Sequence, residues 1–205
     1  QKAALWGEKR FPDGKFEVLE APGKTPCLFF DIPALGNTSE QTAFFYGHLD
    51  KQPEAAGWTK NRAPFKPVIE DGRLYGRGCA DDGYSVYAAL TAVKALEEAG
   101  LEHPRCCGLI ETREESGSED LPYWLAAVAP RCGKGGLVTV LDSAAGDYER
   151  LWITASFRGV VAATLRVKVL NHGVHSGSGS GIVPDSFMIA RELLSRVEKS
   201  TTGEI

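Results

Sequence analysis

Residues 85–110 read SVYAALTAVKALEEAGLEHPRCCGLI, and two different structural periods lie side by side in them. Val86, Ala89, Leu90, Val93 and Leu96 recur every three or four positions, which predicts an amphipathic helix over Ser85–Ala99, ended by Gly100. Arg105 to Ile110 then reads as a strand. Upstream, Cys27 to Ile32 and Ala43 to Tyr46 are further strand candidates leading into loops. Downstream, Ser118 to Val128 reads as a helix with Ser118 as its N-cap, and Leu137 to Leu141 as another strand. Strands alternating with helices predict an α/β domain with a mostly parallel sheet flanked by helices.

The pattern changes after Gly146. Val161, Ala163, Leu165, Val167 and Val169 alternate with Ala162, Thr164, Arg166 and Lys168, the signature of a half-buried strand. It would pair antiparallel with Leu151–Ser156 through a turn near Arg158-Gly159. Pro184–Glu198 reads as a helix burying Met188, Leu193, Leu194 and Val197. A first domain over 1–150 and the start of a smaller α+β domain over 151–205 are therefore expected.

Composition narrows the function. With 43% hydrophobic and 24% charged residues and a net charge of -4, the chain has the balance of a soluble globular protein. Scattered Lys and Arg without interleaved aromatics predict no nucleic-acid partner. No apolar stretch reaches the roughly 20 residues that cross a bilayer, so no membrane span is expected. Five cysteines without CxxC spacing suggest reduced thiols and a cytoplasmic location.

The chemistry sits in four acidic motifs: His48-Leu49-Asp50, Asp81-Asp82-Gly83, Glu114-Glu115-Ser116-Gly117-Ser118 and Asp142-Ser143. The first, third and fourth directly follow strand candidates, and open α/β sheets bind ligands beyond the carboxyl ends of their strands. An imidazole among carboxylates is the ligand chemistry of a hydrolytic metal site. His48 and Asp50 alternate across a strand end, so one can ligate while the other orients it. Asp81-Asp82 precedes the long helix. A cap needs one acid, which leaves the other to bridge two cations. In Glu114-Glu115 one carboxylate can face a metal while its neighbour stays free as a general base.

In this order and context the motifs resemble the dinuclear zinc peptidases and deacylases that include carnosinase-type dipeptidases, aminoacylase, glutamate carboxypeptidase and succinyl-diaminopimelate desuccinylase. The matching text is Tyr46-Gly47-His48-Leu49-Asp50-Lys51-Gln52-Pro53, Pro64-Phe65, Gly72-Arg73-Leu74-Tyr75-Gly76-Arg77-Gly78 into Asp81-Asp82, Glu114–Ser118 and Asp142. Its form is most similar to the dipeptidase branch. The resemblance implies two zinc ions, with manganese as the alternative. His48 and Asp142 would hold one ion, Glu115 the other, and Asp81 would bridge both. It further implies Glu114 as general base, Asp50 as support for His48, and a cis Asp81–Asp82 peptide. His175, in Gly173-Val174-His175-Ser176-Gly177, would stabilise an oxyanion from a lid and dimerisation domain, in several members across a homodimer. His103, before Pro104, has no such context and is expected at the surface.

The expected activity is metal-dependent hydrolysis of a dipeptide or small peptide. Two alternatives stay open: deacylation or desuccinylation of an N-acyl amino acid, and a noncatalytic metal-binding or dimerisation fragment. Members of that family are longer and take a further histidine for the second ion from a later segment. The second site is therefore expected to be incomplete within 1–205, the remainder of both domains to lie outside it, and the 205 residues alone to be inactive.

Overall fold

The computed structural model describes residues 1–205 except 37, 39 and 60. The chain divides into two compact units, Gln1–Thr154 and Ala155–Ile205.

The first unit begins with α1 (Lys2–Glu8), β1 (Lys15–Leu19), β2 (Cys27–Ile32) and β3 (Gln41–His48). A short hairpin follows, β4 (Val68–Glu70) with β5 (Arg73–Tyr75), then α2 (Ser85–Glu98), β6 (Cys106–Glu111), a 3-10 turn at Glu114–Ser116, α3 (Leu121–Cys132) and β7 (Lys134–Val140). The main sheet has the order β1-β2-β6-β3-β7. β3 runs parallel to both β6 and β7, while β2 is antiparallel to β1 and β6. Four of the five strands therefore point the same way, with β2 reversed.

The residues of the central strands sort by a period of two. On one face Leu28, Phe30, Ile32 and Ile110 pack with Val86, Ala89, Leu90 and Val93 of α2 and with Ala3 and Ala4 of α1. On the other, Cys27, Phe29, Cys107 and Leu109 pack with Trp124, Val128 and Cys132 of α3. β6 is buried along its whole length, as a central strand covered on both faces must be. Phe30 anchors the first layer, with its ring 6.0 Å from that of Phe16 and 6.3 Å from that of Phe45. Gly108 makes room for it, since a Cβ there would lie 2.2 Å from the Phe30 ring. Phe30→Ala is expected to cost about 3–5 kcal/mol, read as a lower urea midpoint. An unchanged midpoint would contradict this packing.

The α2 prediction holds to its last residue, with Ala99 as C-cap, although Leu96 at the end of the stripe is exposed. Other local expectations are corrected. Ser118 is not an N-cap: α3 starts at Leu121 behind Asp120, and Ser118 instead takes a positive φ of 51° in the turn before it. The Asp81–Asp82 peptide is trans, the cheaper isomer for a non-proline bond. His103 is buried, not at the surface, and its rim of partners explains why. Its Nδ1 lies 2.9 Å from the Pro104 carbonyl and its Nε2 3.4 Å from Glu97 Oε1.

The predicted strand at 151–156, which spans the boundary between the units, and that at 161–169 in the second unit are not formed among the described residues. Alternation marks one face of a sheet but supplies no partner for its backbone, and Val161 remains 97% exposed. The unit contains α4 (Ser176–Gly179) and α5 (Ser186–Leu194), with Asp185 capping α5 through Phe187 and Met188 N–H. α5 is shorter than the predicted 184–198. Met188, Leu194 and Val197, expected on a buried side, are exposed, because an apolar stripe is buried only where another element covers it.

Candidate metal centre

Parallel register brings the site together. His48, the last residue of β3, pairs with Glu111, the last of β6, and Tyr46 pairs with Val140 of β7. The three strands thus end level. Ladder bonds continue one residue further, from Leu49 N–H to Glu111 O and from Leu141 N–H to Tyr46 O, both 2.9 Å. The loops after these strands carry Asp50, Glu114-Glu115 and Asp142, so motifs nearly 100 residues apart meet at one sheet edge.

His48 is the centre of the cluster. Its side chain is fully buried. Asp50 Oδ1 lies 3.3 Å from Nδ1, and around Nε2 stand Asp81 Oδ1 at 3.3 Å, Glu114 Oε2 at 3.9 Å and Asp142 Oδ2 at 3.9 Å. Neither ring nitrogen makes a hydrogen bond of normal geometry. A buried imidazole without a hydrogen bond is costly unless something else takes its lone pair. One ligand atom each from His48, Asp81 and Asp142 fall within 4.8 Å of one another, a donor set that suits a divalent cation.

The neighbouring acids divide their work. Asp82 is buried and caps α2: Oδ1 accepts from the N–H groups of Gly83, Tyr84 and Ser85, and Oδ2 accepts from His48 N–H at 3.0 Å. Asp81 is left exposed toward the cluster. The close approach of α2 to β3 depends on Gly47, where a Cβ would sit 2.3 Å from Ser85 and 2.9 Å from Asp82 Oδ2. Asp50 holds the opposite loop, accepting from Glu114 N–H at 3.2 Å and Glu115 N–H at 3.0 Å. Gln52 Nε2 donates to Glu115 Oε2, while Glu115 Oε1 is buried without a hydrogen bond. A cleft of about 920 Å³ opens over Asp81 and Asp142, walled by Arg73, Leu74, Tyr84 and Tyr148.

His175 belongs to the second unit, exposed at the N-cap of α4. Its Nδ1 accepts from Gly177 N–H at 3.1 Å, which places the ring proton on Nε2 and leaves that nitrogen as a donor. Two further residues escaped the sequence reading. Lys51 Nζ is buried without a hydrogen-bond partner, and burial pulls its pKa down against the charges of Asp82, Asp50, Asp81 and Glu115. Glu111 is buried at the end of β6, accepting from Tyr46 and Ser118. An acid closing the otherwise apolar run Cys106–Ile110 was the available signal for Glu111.

The electrostatics favour cation binding. Burial pushes the Glu114 carboxyl above its ordinary range, as do the charges of Asp142, Glu115 and Asp50, with the His48 imidazole opposing. Asp142 is raised by burial and then by Asp81, Asp82 and Glu115, again against His48. Burial alone would depress His48, but Asp142, Asp82, Asp50 and Glu114 together hold it above its usual value. All three groups bind protons more tightly in the fold. Each contributes stability that is complete below its unfolded pKa and lost as pH rises through its folded one. The cluster should therefore destabilise the metal-free fold as pH rises past the ordinary carboxylate range and then past that of the imidazole, where ligand protons compete least with a metal. Thermal melts are expected to show a larger zinc-induced gain above this window than below it. An equal gain on both sides would refute the cluster as the zinc site.

The model of peptidase family M20/M25/M40 matches residues 44–157. The Cys-Gly metallodipeptidase dug1 of Schizosaccharomyces pombe is 29% identical over 172 residues, covering 82% of this chain and 36% of that protein. The succinyl-diaminopimelate desuccinylase of Methylobacillus flagellatus is 40% identical over 82 residues, 40% of this chain and 22% of that one. The crystal structure of human carnosine dipeptidase 1 shares the fold, with a TM-score of 0.60 at 22% identity over 96% of this chain and 44% of that chain. The chain spans about a third of the length of the curated relatives that match most of it.

Proposed function

Because this chain belongs to peptidase family M20/M25/M40, we propose that its protein is a metal-dependent dipeptidase whose catalytic centre is the His48 cluster. The supporting observation is the buried imidazole, free of hydrogen bonds and faced by carboxylates on both nitrogens. His48, Asp81 and Asp142 would hold one ion, and Asp81 with Glu115 a second, as zinc or manganese. Such ions supply Lewis acidity and lower the pKa of water.

The chain's own residues do the rest. Asp50 Oδ1 faces His48 Nδ1 at 3.3 Å, so the ring proton belongs on Nδ1 and the Nε2 lone pair is left toward Asp81 and Asp142. Through its bonds to Glu114 and Glu115 N–H, the same carboxylate aligns the loop with the histidine. Glu114, with its pKa raised toward the working range, accepts a proton from the attacking water and returns it to the leaving amine. The resemblance to the family assigns His175, whose Nε2 is left as a donor, to the developing oxyanion, and its unit to a lid and homodimer interface. Five free cysteines support a reducing, cytoplasmic setting.

The test is elemental analysis of the intact protein followed by a panel of dipeptides, Cys-Gly and β-Ala-His among them, set against N-acyl and N-succinyl amino acids. About two ions per chain with dipeptide turnover is the expected result. Turnover restricted to acyl substrates would move the protein to the deacylase reading, and absence of bound metal would refute the centre.

A further inference from the structure

Glu111 takes no part in the chemistry above, yet its carboxylate is 2% exposed and sits beside His48 in the strand register. One oxygen, Oε1, receives two hydroxyls: Tyr46 Oη, two residues before His48 on β3, and Ser118 Oγ at 2.9 Å. Ser118 closes the turn that carries Glu114 and Glu115. There Gly117 N–H donates to Glu114 O at 2.8 Å and Ser118 N–H to Arg113 O at 2.9 Å. Asp50 holds the front of this turn by its two N–H groups. Glu111 holds its back, through a serine in a left-handed conformation that few non-glycine residues adopt.

We infer that Glu111 is a positioning residue, which clamps the Glu114–Glu115 turn to the strand bearing His48 by accepting from Tyr46 and Ser118 at a single oxygen. The inference rests on the function proposed above for Glu114 and Glu115. Its physical basis is that a base and a metal ligand on a short turn need both ends held to keep productive geometry. The job requires an acceptor and not a charge. Glu111→Gln can keep both hydroxyl bonds through its amide oxygen, whereas Glu111→Ala cannot keep either.

The experiment uses the intact protein with Co2+ in place of the native ion, reading the cobalt absorption spectrum and metal affinity together with kcat and KM. Glu111→Ala is expected to lower kcat or metal affinity by about 10–100-fold, with KM unchanged and the cobalt spectrum altered. Glu111→Gln should restore both to within about threefold of wild type, well inside the 10–100-fold range of a lost support. Ser118→Ala removes one hydroxyl at a half-buried site and covers the case in which Glu111→Ala does not fold, with a smaller loss in the same direction. Wild-type kcat, affinity and spectrum in folded Ser118→Ala and Glu111→Ala would overturn the clamp, leaving Glu111 a structural residue. A Glu111→Gln protein as impaired as Glu111→Ala would overturn it as well. If the wild-type protein turned over no dipeptide, the function proposed above would fail, while affinity and spectrum would still decide the clamp.

Discussion

Glu114→Gln lowers kcat of the intact protein by about 10²–10⁴-fold, with KM and metal affinity little changed. The substitution keeps the shape of the side chain and removes only its capacity to take a proton. Glu114 lies 3.9 Å from His48 Nε2, close enough to share the site, and its backbone N–H is already committed to Asp50, so the turn keeps its fold in the variant. The raised pKa adds a second signature. In wild type the acid limb of kcat should lie above the ordinary carboxylate value near 4.3, because activity needs Glu114 deprotonated and rises as pH climbs through its pKa. That limb should vanish with the glutamine. Steady-state kinetics across pH, paired with metal analysis, checks both parts, and turnover retained within tenfold would remove Glu114 as the base.

The second large effect is expected at His48. His48→Ala should reduce zinc affinity by more than about 100-fold, since loss of an outer supporting group alone costs 10–100-fold and His48 is the sole nitrogen in the cluster of three. It also leaves Asp81, Glu114 and Asp142 facing one another with no imidazole between them. Turnover should be lost with the metal, and an excess of zinc should restore little of it. Asp50→Asn is the informative companion, because it disturbs His48 Nδ1 and both turn N–H groups at once. Calorimetric titration with zinc reads these affinities, and wild-type affinity in His48→Ala would relocate the metal.

The α/β architecture was legible wherever an element's own residues carry the pattern of its burial. α2 shows its buried stripe at Val86, Ala89, Leu90 and Val93 because a 3.6-residue period and a sheet-facing side are one fact stated twice. Arg105–Ile110 and Cys27–Ile32 were readable because central strands are apolar throughout. Alternation at 161–169 misled for the converse reason: it describes a face and not a partner. Ser118 looked like a cap by residue type, but helix starts are decided by backbone angles, and Asp120 stands one residue before α3.

The sequence by itself determined the donor types, their order and their placement after strands, which is enough to specify an imidazole-and-carboxylate chemistry. Only the tertiary structure decided which acid does what. Asp82 turns inward to cap α2 while Asp81 stays with His48, and identical side chains at adjacent positions cannot reveal that division. Glu111, Tyr46 and Ser118 meet through strand register and a left-handed turn. Their roles depend on contacts 7 and 65 residues apart, and long-range distance is set by packing, which no local pattern encodes.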